Sequence, residues 1–233
     1  MTMTSYQLRR GQIETYFDKT AADAWKRLTS DAPVGRIRAT VRAGRDEMRR
    51  TLLSWLPEDL RGARLLDAGC GTGALTVEAA RRGASVTAID LSPTLVRHAK
   101  ETMPADLGPG SVDFRVGDML ADTLGVFDYV VAMDSLIHYS AADAVAAVSR
   151  IAARTSSAMV FTFAPRTPPL AVLHAVGRLF PRGDRAPAIE PVGQKTLSRM
   201  LQRSPEMADW MQGRTQRIES GFYKSQALEL RRQ

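Results

Sequence analysis

A chain of 233 residues with 44% hydrophobic and 24% charged content can build one globular domain with a sizeable core. Its one cysteine, Cys70, excludes an internal disulfide framework and a cysteine-based zinc site, and suits a reducing cytoplasm. No apolar run reaches the ~18 residues of a membrane span, and the opening MTMTSYQLRR carries no apolar segment after its charges to serve as a secretory signal. The 32 Lys and Arg outnumber the 25 Asp and Glu by 7, a surplus that attracts anions: nucleic acid, anionic lipid or an acidic small molecule.

Residues 5–29 are expected to be helical, with Tyr6, Ile13, Phe17, Trp25 and Leu28 set among polar positions. The pattern over 36–56 is clearer. Ile37, Val41, Met48, Leu52 and Trp55 recur near the helical period, Pro57 follows, and Arg36, Arg38, Arg42, Arg45, Arg49 and Arg50 form an opposite face expected to be solvated. Then the rhythm changes. RLLDAG (64–69), SVTAID (85–90), VDFRVGD (112–118), FDYVVAMD (127–134) and SAMVFTF (157–163) read as strands, separated by the helical ALTVEAARRG, LSPTLVRHAKETM and SAADAVAAVSRIAA. Alternation of this length implies βαβ units with right-handed crossovers, a doubly wound α/β fold. A Pro- and Arg-rich stretch follows Phe163 and encloses the apolar set Leu170, Leu173, Val176, Leu179 and Phe180, and RTQRIES and YKSQALELRR close the chain as a strand pair around Gly221. The expected organisation is a helical arm over 1–57 and a binding domain over 58–233, with an insertion over roughly 164–192 after the fifth strand.

The stretch LLDAGCGTG holds Gly69, Gly71 and Gly73 where a strand turns into a helix, the setting in which free backbone N–H groups receive an anion. Its spacing is one residue short of the dinucleotide fingerprint, and Asp67 stands at the strand end, where a carboxylate would repel a pyrophosphate. That position suits a ligand with an ammonium group. S-adenosylmethionine is one, with an α-ammonium, a sulfonium and no phosphate. Asp90 closes the second strand 21 residues after Gly69, where a carboxylate accepts from ribose hydroxyls. Asp118, after Gly117, can accept from an adenine amino group while Met119 packs on the ring. The order Asp67, glycines, Asp90, Gly117-Asp118 resembles the S-adenosylmethionine-dependent methyltransferase superfamily over 64–139. The resemblance implies a mostly parallel seven-stranded sheet with helices on both faces and an antiparallel C-terminal hairpin. It also implies a donor site of Asp67, Ala68, Gly69, Gly71, Gly73, Asp90, Leu91, Asp118 and Met119, with Asp134 either at the methionine end or capping its loop.

Proline is absent from MDSLIHY after the fourth strand, which argues against methylation of DNA bases or glutamine, and no carboxylate cluster suited to catechol or two-metal chemistry stands outside the donor set. YFDKTAADAWKRL (16–28), LLDAGCGTG, DLSPTLVRHA, AMDSLIHY and FTFAPRTPPLAVLHAVGRLFP together resemble the magnesium-protoporphyrin IX methyltransferase family over nearly the whole chain. That resemblance implies methyl transfer to one ring propionate of a magnesium porphyrin in chlorophyll or bacteriochlorophyll synthesis. The magnesium comes with the substrate, and no metal is held by the protein. A propionate is anionic at pH 7, its unperturbed pKa being roughly 4 to 4.5, so a strong general base is not required. His138 is implied as an active-site residue, orienting the propionate or approaching the chelated magnesium, and Tyr16 as a closing contact from the arm. Phe17, Tyr139, Arg166, Arg178 and Arg182 are the expected substrate contacts, arginine being suited to a bidentate grip on the second propionate. His174 and Trp25 are expected to pack structurally. The family further suggests the porphyrin-binding subunit of magnesium chelatase as a partner, and the Arg-rich helix allows peripheral association with an anionic membrane. Two alternatives stay open: transfer to another small-molecule or RNA acceptor, and a non-catalytic module binding the donor or nucleic acid. Against a nucleic-acid partner, the chain shows no aromatic-interleaved basic strand and no recognition-helix pattern.

Overall fold

The computed structural model describes residues 3–20, 35–166 and 188–233. Trp25, Leu28, His174, Arg178 and Arg182, and the apolar set from Leu170 to Phe180, lie outside the described residues.

The first helix, α1 (Ser5–Thr15), starts on a capping box in which Thr4 and Gln7 satisfy each other's backbone N–H, and it runs into a π-helical turn at Tyr16–Thr20. The second, α2 (Arg36–Ser54), buries Gly44, Met48, Thr51, Leu52 and Leu53. Ile37, expected on that buried stripe, is instead 60% exposed, the buried positions of α2 beginning at Gly44.

Seven strands follow as expected: β1 (Arg64–Ala68), β2 (Ser85–Asp90), β3 (Ser111–Val116), β4 (Phe127–Ala132), β5 (Thr155–Phe163), β6 (Trp210–Ser220) and β7 (Tyr223–Arg232). Between them lie α3 (Ala74–Arg81), α4 (Pro93–Thr102), α5 (Ala141–Ala152) and α6 (Gln194–Arg203). The sheet order is β3-β2-β1-β4-β5-β7-β6; β1 to β5 are parallel, and β7 inserts antiparallel between β5 and β6. Both faces are covered. Leu66, Phe127, Ile151, Met159, Leu201 and Leu228 share one apolar cluster, and Met48, Leu52, Leu65, Ala79, Val86 and Val131 share the other. The helix α2 contributes Met48, Leu52 and Leu53 to the second cluster.

Two elements extend what the sequence pattern indicates. No element is expected between 193 and 213, yet α6 forms there on just two buried leucines, Leu197 and Leu201, one turn apart. The strand β6 begins at Trp210, four residues before RTQRIES, and its register with β7 shifts between Gln212 and Thr215. The shift makes room for a buried carboxylate. Glu229 is 1% exposed, and a Cβ on Gly213 would lie 2.5 Å from its Oε2. Arg214 grips both carboxylate oxygens, at 2.8 and 2.6 Å, and Arg231 donates at 2.8 Å. Burial pushes the Glu229 carboxyl up, but these donors outweigh it and hold its pKa at about 2. The ion pair therefore stabilises the fold above the ordinary glutamate range and fades only as pH falls toward 2. Arg214→Met is expected to cost about 2–4 kcal/mol in urea denaturation at pH 7, since it leaves a buried charge under-compensated. A midpoint unchanged from wild type would show that Arg231 alone suffices.

Candidate active site

The strand order reverses between β1 and β4, and a pocket opens at the carboxyl ends of the strands there, as doubly wound sheets favour. It encloses about 1090 Å³ of empty space continuous with solvent.

Its floor is the glycine turn. The N–H groups of Gly69 and Cys70 both donate to Ile89 O, at 2.8 and 3.0 Å, which ties the end of β1 to β2. Gly71 N–H donates to Asp90 Oδ2 and Ser92 N–H to Asp90 Oδ1, each at 2.9 Å. Each Asp90 oxygen keeps acceptor capacity for a diol. Gly69 has φ +89°, and a Cβ there would lie 2.4 Å from Ser135 Cβ, so glycine alone lets the two loops touch. Asp67 is buried at 2% exposure and accepts from Thr76 Oγ1 at 2.6 Å. Burial pushes its pKa up to about 7, with the Asp90 charge adding to the rise and Thr76 opposing it. Asp90 is likewise raised by burial, against its backbone hydrogen bonds. Two buried carboxyl groups on one side of the pocket call for a ligand with a cation and hydroxyl groups.

The arm roofs this floor. Tyr6 stacks on Tyr139 with ring centroids 4.7 Å apart and planes 14° from parallel. Its hydroxyl donates to Asp118 Oδ1 at 2.7 Å, and Arg10 Nη1 donates to Asp118 Oδ2 at 2.9 Å. Further along, Phe17 meets His138 edge-on at 5.8 Å, and Asp18 accepts from Thr94 N–H and Ser92 Oγ at the start of α4. The loop after β3 is pinned from below by Arg154, which donates to the carbonyls of Met119 and Ala121 at 2.5 and 2.6 Å.

Of the residues expected in the donor site, Asp67, Gly69, Gly71, Asp90, Leu91, Asp118, Met119 and Asp134 line the pocket. Ala68 is instead buried within the sheet, and Gly73 sits behind the turn, where a Cβ would press on Phe114 at 3.1 Å. Asp118 is engaged by the arm, and the Asp134 carboxylate by Arg45, Tyr223, Ser225 and Thr162. Of the expected acceptor contacts, Phe17, His138 and Tyr139 line the pocket. Tyr16 lies half-buried and edge-on to Phe17 at 5.1 Å, outside the lining, and Arg166 is exposed at the margin of the described residues.

Sequence reasoning missed several lining residues. Tyr6 and Ile13 come from α1, and Arg42, Arg45 and Arg49 come from the α2 face expected to be solvated. Their spacing of three and then four was the available signal, since it places all three guanidinium groups on one stripe. The Ser135 hydroxyl, buried with no hydrogen-bond partner among the described residues, is another polar group turned to the pocket wall.

Comparison with known proteins bears on both halves of the site. Residues 65–157 match a methyltransferase domain model, and residues 132–232 match the model for the magnesium-protoporphyrin IX methyltransferase C-terminus. The magnesium-protoporphyrin O-methyltransferase of Rhodobacter capsulatus is 48% identical over 229 residues, covering 98% of this chain and 99% of that protein. The protein of the same name from Synechocystis is 33% identical over 72% of this chain and 74% of its own length. The crystal structure of magnesium protoporphyrin IX methyltransferase from Synechocystis with bound S-adenosylhomocysteine superposes with a TM-score of 0.82 at 30% identity, covering 96% of this chain and all of that one.

Proposed function

This chain belongs to the magnesium-protoporphyrin O-methyltransferase family, and from that premise we propose that it esterifies one propionate of magnesium protoporphyrin IX, with S-adenosylmethionine as donor. One observation carries the reading: buried carboxyl groups suited to a cationic nucleoside meet, in one pocket, an aromatic and arginine-bearing wall suited to an apolar anion. The donor's residues fit on the structure's own terms, since the Gly69 cradle would be filled by a Cβ and the Ser135 hydroxyl is left for a ligand.

S-adenosylmethionine, when bound, supplies an electrophilic methyl on a sulfonium. Asp67 would accept from the ammonium, Asp90 from the ribose hydroxyls, and Met119 would pack on the adenine. Arg42 and Arg49 stand on the wall beside the turn, where the donor's carboxylate would lie, Arg49 being held there by Glu78 at 2.6 Å and Asp46 at 3.0 Å. The propionate oxygen attacks the methyl carbon as the carbon–sulfur bond breaks and sulfur takes the electron pair. No proton moves, so the protein's task is to hold nucleophile and methyl in line. His138 orients the propionate, Phe17 and Tyr139 hold the macrocycle edge, and Tyr16 backs Phe17 as the arm closes. Arg166, Arg178 and Arg182 are proposed for the second propionate.

Incubating the purified chain with S-adenosylmethionine and magnesium protoporphyrin IX should give a monomethyl ester separable by chromatography. Its absence from folded, donor-binding protein would overturn the acceptor assignment. Asp90→Ala is expected to weaken donor binding by about 10- to 100-fold, as loss of charge-assisted hydrogen bonds does, and to lower the melting temperature by a few degrees, since it frees the Gly71 and Ser92 N–H groups. Calorimetry showing unchanged affinity would remove Asp90 from the ribose site.

No helix among the described residues is long and apolar enough to cross a membrane. We further propose a cytoplasmic protein that associates peripherally with the photosynthetic membrane and receives its poorly soluble substrate directly from the porphyrin-binding subunit of magnesium chelatase. The exposed Arg36, Arg38 and Arg50 on α2 support such contacts.

A further inference from the structure

Asp134 is the one residue other than glycine with a positive φ, +55°, among the described residues. A carboxylate in that conformation at the end of a central strand is a local cost that surrounding contacts must sustain. Here they come from three elements. Arg45 on α2 donates to Oδ2 at 2.5 Å, the Tyr223 hydroxyl lies 3.1 Å from both oxygens, and Ser225 on β7 donates to Oδ1 at 3.1 Å. Thr162 on β5 receives the Asp134 N–H at 2.7 Å and returns its own hydroxyl proton to Oδ1 at 3.2 Å. The group is sequestered, with Asp134 and Arg45 side chains 6% and 16% exposed.

Two further features show that this junction is built. A Cβ on Gly44 would lie 2.6 Å from Tyr223 Cδ1, so α2 meets β7 through a glycine directly beside Arg45. Burial and the facing Asp134 carboxylate raise the Tyr223 hydroxyl well above the ordinary tyrosine range, which keeps it a donor at any working pH. On the other side of Asp134 the chain runs straight into the pocket. Ser135 presses on Gly69 of the donor turn, and the short helical turn Leu136–His138 delivers His138 to the acceptor side.

We propose that Asp134 is a positioning residue: its carboxylate joins α2, β5 and β7 to the turn bearing Ser135 and His138, so that the donor wall and the acceptor wall hold one relative geometry. This assigns its oxygens to the protein rather than to the methionine end of the donor. The proposal rests on the methyl-transfer reading for its kinetic consequence, but its structural consequence is independent of the acceptor.

The test uses Asp134→Asn, which tolerates a left-handed backbone and removes the pairing charge, with Tyr223→Phe as a milder variant that deletes one hydroxyl. Hydrogen–deuterium exchange of the full chain should rise together in peptides covering 36–54 and 133–139 in both variants, without donor or acceptor present. A rise confined to one of the two segments, or none, overturns the proposal whatever the chemistry. In the esterification assay, Asp134→Asn should lower kcat by roughly 10- to 100-fold, the scale of a misplacement near 1 Å, while donor Kd and acceptor KM stay within about threefold. A donor Kd that weakens in step with kcat would assign Asp134 to the donor site instead. Variants that show the coupled rise, with wild-type protein that makes no ester, would sink the acceptor reading and leave this junction standing.

Discussion

Gly69→Ala will abolish measurable methyl transfer and weaken donor binding by at least about 100-fold, from a single added methyl group. Two costs combine there. Placing Ala at φ +89° costs on the order of 1–2 kcal/mol, and the new Cβ would sit 2.4 Å from Ser135 Cβ, a distance that no rotamer relieves. The chain must then open the gap between β1's turn and the turn after β4, which are the two edges of the proposed donor cradle. Gly62 separates the two effects. It has a similar φ of +78° with nothing within 4 Å of its would-be Cβ, so Gly62→Ala should lose comparable backbone stability with donor affinity intact. Adding Ser135→Gly to Gly69→Ala should restore part of the binding by removing the clash. Calorimetric titration of the three variants checks this, and Gly69→Ala binding the donor as tightly as Gly62→Ala would show that the turn does not form the cradle.

The glycine turn was legible because its meaning is local. Strands that are buried on both faces leave short apolar runs such as Leu65-Leu66 in β1 and Tyr129 to Ala132 in β4, and three carboxylates at the ends of successive strands mark one edge of a parallel sheet. What stayed hidden depends on partners far along the chain. Tyr6 reads as one apolar position of an amphipathic helix, and nothing near it announces a bond to Asp118, 112 residues away. The stripe of Arg42, Arg45 and Arg49 was visible, but a helical period gives a face and not what lies opposite it; here that is a pocket and a buried Asp134. The helix α6 escaped notice since two buried leucines in ten residues are too few to define a period. For Asp134, a place at a strand end leaves open both a contact with the methionine end of the donor and a cap on its own loop. Its left-handed backbone and its contacts with Arg45 and Tyr223, 89 residues away on either side, are not specified by its neighbours in sequence.

Asp67→Asn should stabilise the empty protein and disable it at once, and pH decides how much of each is seen. The Asp67 carboxyl is raised from its ordinary 3.8 to about 7 by burial, a rise worth at most about 4 kcal/mol. The sign follows from proton counting. Between pH 4 and 7 the folded state keeps this proton while the unfolded chain loses it, so stability falls as pH rises through that window and the full penalty stands above 7. Asn carries no charge to bury and can still accept from Thr76. The melting temperature of Asp67→Asn should therefore match wild type near pH 4 and exceed it by several degrees at pH 8. Donor binding runs the other way. Pairing with an ammonium requires the ionised carboxylate, so binding to wild type should release a proton below pH 7 and tighten as pH rises from 5.5 to 7. Asp67→Asn should bind about 100-fold more weakly, the scale of a lost charged hydrogen bond in a dry site, with little pH dependence across that range. Calorimetry in buffers of different ionisation enthalpy measures the released proton directly. A wild-type affinity that is flat from pH 5.5 to 7, with no proton released, would mean that Asp67 is not the group that meets the donor's cation.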